Sequence, residues 1–347
     1  MTFSPGPVVL FGSGETSPSG RKVYEQLFSS YPRPVSVSIL ETPAGFQPNS
    51  AVVAGKIADY LRTKLQNYGP DVTVLPARAR GTAFSPDDGT ILEPILRADV
   101  LFAGPGSPTY AVRQMEGSLA LHYMMARHRL GGALVLASAA TIAAGAECLP
   151  VYEIYKSGED LHWRRGLDLL RPFGLALTFV PHWNNTEGGA ELDTSRCFMG
   201  ADRYSRLAEM LPPDRMVVGI DEQTALVIDV AVGVCRVMGR GGVVLSGNRS
   251  NERHESGAVF PVEALGPFRL PDKHDGIPPP LWDLALAARF EAHLESGPSE
   301  AVLGLVGQRE AARAERNWRE SDRLRDQIAS MGWRVSDTPD GQALERA

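Results

Sequence analysis

Ser138 and His182 are the two residues whose types and settings could together carry a reaction. Ser138 closes the run Gly131-Gly-Ala-Leu-Val-Leu-Ala-Ser138, which reads as a buried strand delivering one serine to a sharp turn beside Ala139-Ala140. A serine hydroxyl becomes a useful nucleophile when a base takes its proton and backbone N–H groups face the developing oxyanion. His182, in Phe179-Val-Pro-His-Trp-Asn-Asn185, directly follows another apolar run, and imidazole is the side chain best suited to proton transfer near neutrality. The alternative readings are a small residue at a packed strand end and a structural histidine. Of the seven histidines, His182 alone follows a core strand.

Two glycine turns accompany the pair. Gly12-Ser-Gly-Glu15 and Gly104-Pro-Gly-Ser-Pro-Thr109 follow the first and fourth apolar runs, and either could supply an oxyanion donor. Pro105 has no N–H, which leaves Gly104 or Gly106. Gly12-x-Gly14 lacks the third glycine of a dinucleotide fingerprint, and the three widely spaced cysteines show no metal spacing. Neither a cofactor nor a metal is expected.

These residues need elements to hold them. Apolar runs at Val8–Phe11, Val35–Leu40, Val72–Leu75, Val100–Ala103, Ala133–Ala137 and Ala176–Val180 alternate with helix-like segments Arg21–Ser29, Ala51–Leu65, Tyr110–Arg127 and Thr141–Glu147. That alternation predicts an α/β fold with a doubly wound, mostly parallel sheet, in which ligands collect at the carboxyl ends of the strands. Gly12, Glu41, Gly104, Ser138 and His182 all fall there, so they can share one cleft. Short runs from Met216 to Leu245 predict an antiparallel extension at the sheet edge. A Pro/Gly-rich linker is expected over 251–280, between a domain at 1–250 and a small helical module at 281–347. Trp282–Leu294 and Ser299–Met331 have helical periodicity there, followed by a glycine and a short strand.

Composition bounds the function. The net charge of −6 argues against general nucleic-acid or anionic-membrane binding, and no apolar segment is long enough to span a bilayer. The N-terminus carries no signal-peptide pattern, and the cysteine usage suits a reducing cytoplasm, the expected location.

The order of motifs resembles peptidase family S51, the cyanophycinase and dipeptidase E group, with a fold similar to class I glutamine amidotransferases. Gly12-Ser-Gly-Glu15, Glu41-Thr-Pro-Ala44, Phe102-Ala-Gly-Pro-Gly106, Ala137-Ser-Ala139, His182-Trp183 and Gly219-Ile-Asp-Glu-Gln-Thr-Ala-Leu226 carry the resemblance. It implies Ser138 as nucleophile, His182 as base and an acidic third member. Glu153, fifteen residues after the serine, is the expected acid, with Glu147, Glu159 and Asp160 as competitors. The implied oxyanion donors are Ala139 and Gly104 or Gly106. Gly14, Glu15, Asn184, Asn185, Asp221 and Glu222 are expected to line the substrate cleft.

Leu136 and Ala140 stand where the family has glycines, Val180 where it has an aspartate, and Thr186 where it has an arginine suited to an aspartyl side chain. Strict aspartyl specificity is therefore not expected. The last forty residues, Ala314–Asp326 and Gly332–Gly341, resemble the end of cysteinyl-tRNA synthetases, without that family's catalytic motifs. Eight arginines and eight acidic residues lie between Arg309 and Arg346, so no basic excess offers itself to phosphates. The favoured reading is a serine-type hydrolase of a small peptide or amide. The alternatives are an inactive binding protein of the same fold and an RNA-associated factor that meets tRNA through the tail. A homodimer is left open.

Overall fold

The structure is a computed structural model. It describes residues 4–247, 250–296, 298, 300–338 and 341–346, the side chains of 250, 292–296, 300 and 346 excepted. Residues 1–289 form one compact unit and 290–347 a second.

Five short strands, β1 (Val8–Phe11), β2 (Ser36–Leu40), β3 (Asp71–Leu75), β4 (Val100–Ala103) and β5 (Ala133–Ala137), form the parallel heart of an eight-stranded sheet. Side chains of β1, β4 and β5 are buried throughout, as expected for strands covered on both faces. A two-residue ribbon pairs β6 (Glu147–Cys148) with β7 (Arg164–Arg165). Beyond it come β8 (Leu177–Val180), β9 (Met216–Ile220), β10 (Thr224–Asp229), β11 (Val234–Gly239), β12 (Gly242–Gly247), β13 (Ser250–Glu255) and β14 (Val259–Pro261).

The order in the large sheet is β14-β11-β10-β1-β5-β4-β2-β3, with β10, β11 and β14 antiparallel. The antiparallel extension is therefore present, but it takes only three of the seven strands β8–β14. β8, β9, β12 and β13 form a separate four-stranded sheet, in which β8 and β9 run parallel. The expected single sheet is corrected to two, and the serine and histidine strands belong to different ones.

Helices pack around the strands. They are α1 (Pro18–Phe28), α2 (Ser50–Lys64), α3 (Gly89–Leu92), α4 (Pro108–Met115), α5 (Leu119–Arg129), α6 (Ala139–Ala143), α7 (Val151–Tyr155) and α8 (Gly200–Glu209), the last two in the core of the smaller sheet, and α9 (Pro279–Ser296). Serines start several of them. The Ser17, Ser107 and Ser118 hydroxyls accept from Gly20 N, Tyr110 N and Leu121 N, satisfying amides that have no intrahelical acceptor. The single helix expected over Tyr110–Arg127 is two, because Gly117 takes φ +65° and Ser118 starts a new helix.

The expected linker is also corrected. β13 and β14 pair into the two sheets, and Val262, Leu265, Ile277 and Trp282 are buried in the main core. Proline and glycine there shape turns between packed segments.

In the second unit α10 (Glu300–Ala314) and α11 (Trp318–Ser330) form a helical hairpin against the ribbon β15 (Trp333–Thr338) and β16 (Gly341–Arg346). Val302, Ile328 and Val335 are its buried core, and the almost fully buried Arg309 pairs with Asp337 at 3.0 Å. Among the described residues no helix is long and apolar enough to cross a membrane.

Candidate active site

β5 ends at Ala137, and Ser138 turns the chain at φ +51°, a conformation that few non-glycine residues adopt. The turn is tied down on both sides. Ser138 N donates to Phe11 O at 3.3 Å, and the Thr141 hydroxyl reaches Phe11 O and Leu136 O at 3.0 Å each. Leu136, standing where the resemblance has a glycine, points into the large core with Ala140 rather than into the turn. The turn forms without either glycine.

His182 follows β8 and is anchored to the other side of the cleft floor. Its N–H donates to Gly12 O at 3.3 Å, so consecutive carbonyls of the first turn, Phe11 and Gly12, accept from the serine and histidine segments. Trp183 N donates to Ile220 O, and the indole lies where a Cβ on Gly219 would come within 2.4 Å of it. That close approach is why glycine stands in Gly219-Ile-Asp-Glu.

Ser138 Oγ lies 3.0 Å from His182 Nε2, and His182 Nδ1 lies 3.1 Å from Glu222 Oε1. A carboxylate accepts only, so Nδ1 carries the proton and Nε2 is left to accept the serine O–H. The hydrogen bond from the imidazole holds the Glu222 carboxyl below its ordinary range, ahead of the opposing effect of burial. Asn185, almost fully buried, donates through Nδ2 to the same Oε1 at 2.8 Å, and Asn184 Oδ1 accepts from Glu222 N at 2.8 Å.

The acid on the imidazole is thus Glu222, and the expectation of Glu153 is corrected. Glu153 sits on α7, where Oε1 accepts from the Thr109 hydroxyl and Oε2 is buried without a hydrogen-bond partner among the described residues. Distance along the chain from Ser138 was a poor guide, because Glu222 reaches His182 from the turn between β9 and β10. The signal that could have found it is the string Gly219-Ile-Asp-Glu222, whose carboxylate falls at a strand end like the other members.

Of the residues expected to line the substrate cleft, Asn184 and Asn185 hold Glu222, and Glu222 holds the imidazole. Asp221 is fully buried, and its Oδ2 accepts from Gly242 N at 2.8 Å and Arg253 Nη2 at 2.5 Å. Gly14 and Glu15 do lie at the cleft end of β1. Burial raises the Glu15 carboxyl, and a hydrogen bond from its own backbone pulls it partly back.

Ala139 is the first residue of α6, so its N–H has no acceptor within the helix. Ala140 N donates to Gly104 O, joining this helix to the other expected oxyanion turn. Gly106 presses on the segment after β2: a Cβ there would meet Pro43 O at 1.9 Å, and Ser107 N donates to that same oxygen. Thr186, in the place of the family arginine, is exposed.

The fold is shared with the crystal structure of a peptidase from an acI-B1 actinobacterium. That match has a TM-score of 0.60 at 19% identity and covers 75% of this chain and 98% of the other. Residues 296–343 match the family of the cysteinyl-tRNA ligase anticodon binding domain. Cysteine–tRNA ligase 1 of Burkholderia lata is 51% identical over 45 residues, 13% of this chain and 10% of the ligase. The cysteine–tRNA ligase of Trichlorobacter lovleyi is 32% identical over 148 residues, 41% of this chain and 29% of the ligase. The chain thus spans between a tenth and under a third of the ligases it matches. Both parts of the motif resemblance are borne out, the first as a peptidase fold and the second as the C-terminal family match.

Proposed function

We propose that the chain is a serine-type hydrolase of peptide or amide bonds. The observation that carries this reading is the relay Ser138–His182–Glu222, with both steps at hydrogen-bond distance in one cleft. Ser138 Oγ attacks the carbonyl carbon while its proton passes to His182 Nε2. Glu222 fixes the imidazole tautomer and steadies the imidazolium that forms. The oxyanion is received by the Ala139 N–H and an N–H of the Gly104–Gly106 turn. His182 then gives the proton to the leaving nitrogen as the C–N bond breaks. A water molecule, deprotonated by His182, releases the acyl group and restores Ser138. With Thr186 in the arginine position, nothing there reserves the site for aspartyl substrates.

A fluorophosphonate probe tests the mechanism. It should label the wild type and fail on Ser138→Ala, whereas an unlabelled wild type or an equally labelled variant would count against it. A second reading, contact with tRNA through the second unit, is favoured by the family match of residues 296–343. A gel shift with tRNA that disappears when the chain is cut at Pro298 would support it.

A further inference from the structure

The proposed reaction leaves one well-held guanidinium unused. Arg78 follows β3 and turns back to Glu41 at the end of β2, donating from Nε to Glu41 Oε2 at 2.7 Å. Glu41 is buried, and the Ser50 hydroxyl donates to the same oxygen at 2.8 Å. The Phe84 ring stacks on the guanidinium, its centroid 4.5 Å away. The backbone is fixed too, since Arg78 N donates to Phe84 O and the Tyr110 hydroxyl donates to Arg78 O at 2.9 Å. Among the described residues Nη1 and Nη2 donate no hydrogen bond, and the side chain keeps 30% of its surface exposed. An arginine anchored through Nε and one face presents its remaining N–H groups as a rigid fork, the geometry that binds a carboxylate through two bonds.

The surroundings favour an anion. Arg113 lies over the Tyr110 ring at 5.1 Å, and Arg80 pairs with Asp87 at 3.2 Å. Arg80 and Arg113 thus lie near Arg78, with Glu41 and Asp87 each paired to a guanidinium and Glu153 held by the Thr109 hydroxyl. Phe46, half exposed, packs against Tyr110 with centroids 5.2 Å apart and adds apolar surface at the same end.

Position decides which carboxylate fits. Strands β5, β4 and β2 are neighbours in that order, so the end of β2 lies roughly 10 Å from the end of β5 at ordinary strand spacing. An extended peptide advances about 3.3 Å per residue, and the gap therefore corresponds to about two or three residues. An aspartyl side chain on the acylated residue is too short to bridge it. Resting on the hydrolase reading, we infer that Arg78 is a substrate subsite for the free C-terminal carboxylate of a short peptide, whose last residues form the leaving group from Ser138.

The test is calorimetric binding of alanine tripeptides and tetrapeptides to the full-length Ser138→Ala chain, which cannot turn them over. Each peptide is used as free acid, as C-terminal amide, and as an amide with aspartate at the last position. The acid should bind about 10–100-fold more tightly than the amide, the worth of one charge-assisted pair. Adding Arg78→Gln should erase the difference. Because that change strips the buried Glu41 of its cation, Glu41→Gln/Arg78→Gln in the same background is measured beside it, and it should erase the difference with the buried charge removed. Equal binding of acid and amide, discrimination that survives Arg78→Gln, or no binding of any peptide overturns the subsite. An aspartyl amide that binds as tightly as the acid overturns the assignment to the chain terminus. Phosphonate labelling of Ser138 reads the hydrolase mechanism separately, so the two can fail independently.

Discussion

Asn185 and His182 donate to one and the same oxygen of Glu222, Oε1, at 2.8 and 3.1 Å. They are three residues apart, and the sequence between them is the turn after β8. The carboxylate is thus held by the segment that carries the imidazole it orients. Movement of that segment would carry both partners together. The geometry gives a positioning role to Asn185, whose backbone N–H also donates to His182 O at 3.2 Å and whose side chain holds the carboxylate.

Exchanging the acid separates the two glutamates. Glu222→Gln keeps the shape but can offer an amide nitrogen to Nδ1, favouring the wrong imidazole tautomer. A loss of kcat on the order of 10⁴-fold is expected, by analogy with the same exchange in a serine protease triad. Glu153→Gln leaves the relay untouched and should stay within about threefold. Steady-state kinetics on an amide substrate decide this, and a large loss in Glu153→Gln would restore the role expected for it from the sequence.

Glu15 should leave a pH signature in stability. Its carboxyl is raised from 4.5 by burial, so between that value and its folded one the native state holds a proton that the unfolded chain has released. Native stability therefore falls as pH rises through that window, and the loss is complete above the folded value. Glu15→Gln removes the titration. The variant should gain on the wild type as pH climbs from about 4.5 and keep a constant advantage once the window is passed. Urea denaturation at successive pH values checks the sign, and a gap that widens toward acid would refute it.

Arg253 is expected to matter for folding more than for chemistry. It is the cation on the buried Asp221, whose Oδ1 has no hydrogen-bond partner among the described residues. Arg253→Ala should cost about 2–4 kcal/mol, somewhat reduced by the 42% exposure of the arginine side chain. Arg21→Ala, which breaks the exposed pair to Glu25, should cost under about 0.5 kcal/mol. Denaturant midpoints of the two variants compare them directly.

The parallel strands were legible because each is a short apolar run closed by a turn residue. β1, β4 and β5 occupy Val8–Phe11, Val100–Ala103 and Ala133–Ala137, the bounds read from the sequence. Ser138 and His182 were legible for the same reason, since both stand just past such a run. Strand partners were not. Nothing local in Leu177–Val180 says that β8 pairs with Met216–Ile220 rather than with the large sheet, because pairing is a long-range choice. The acid was missed on that account, as Glu222 approaches His182 only through β9. Polar, proline-rich 251–280 misled because β13 and β14 are edge strands, where exposed polar residues are normal.

Gly106 and Gly55 should respond oppositely to alanine. At Gly106 a Cβ would sit 1.9 Å from Pro43 O, a backbone atom that cannot swing aside. Gly106→Ala must therefore push the turn away from the segment after β2. Since a shift near an ångström can cost up to about 100-fold in rate, kcat should fall by at least about tenfold. Gly55, inside α2, has nothing within 4 Å of where an added methyl would stand, and helix interiors favour alanine by about 0.5–1 kcal/mol. Gly55→Ala should raise stability by about that amount and leave kcat unchanged, which makes it the matched control for adding one carbon. Thermal melts and kinetics on both variants test the pair. Full activity in Gly106→Ala would mean that the turn tolerates displacement and does not hold an oxyanion donor in place.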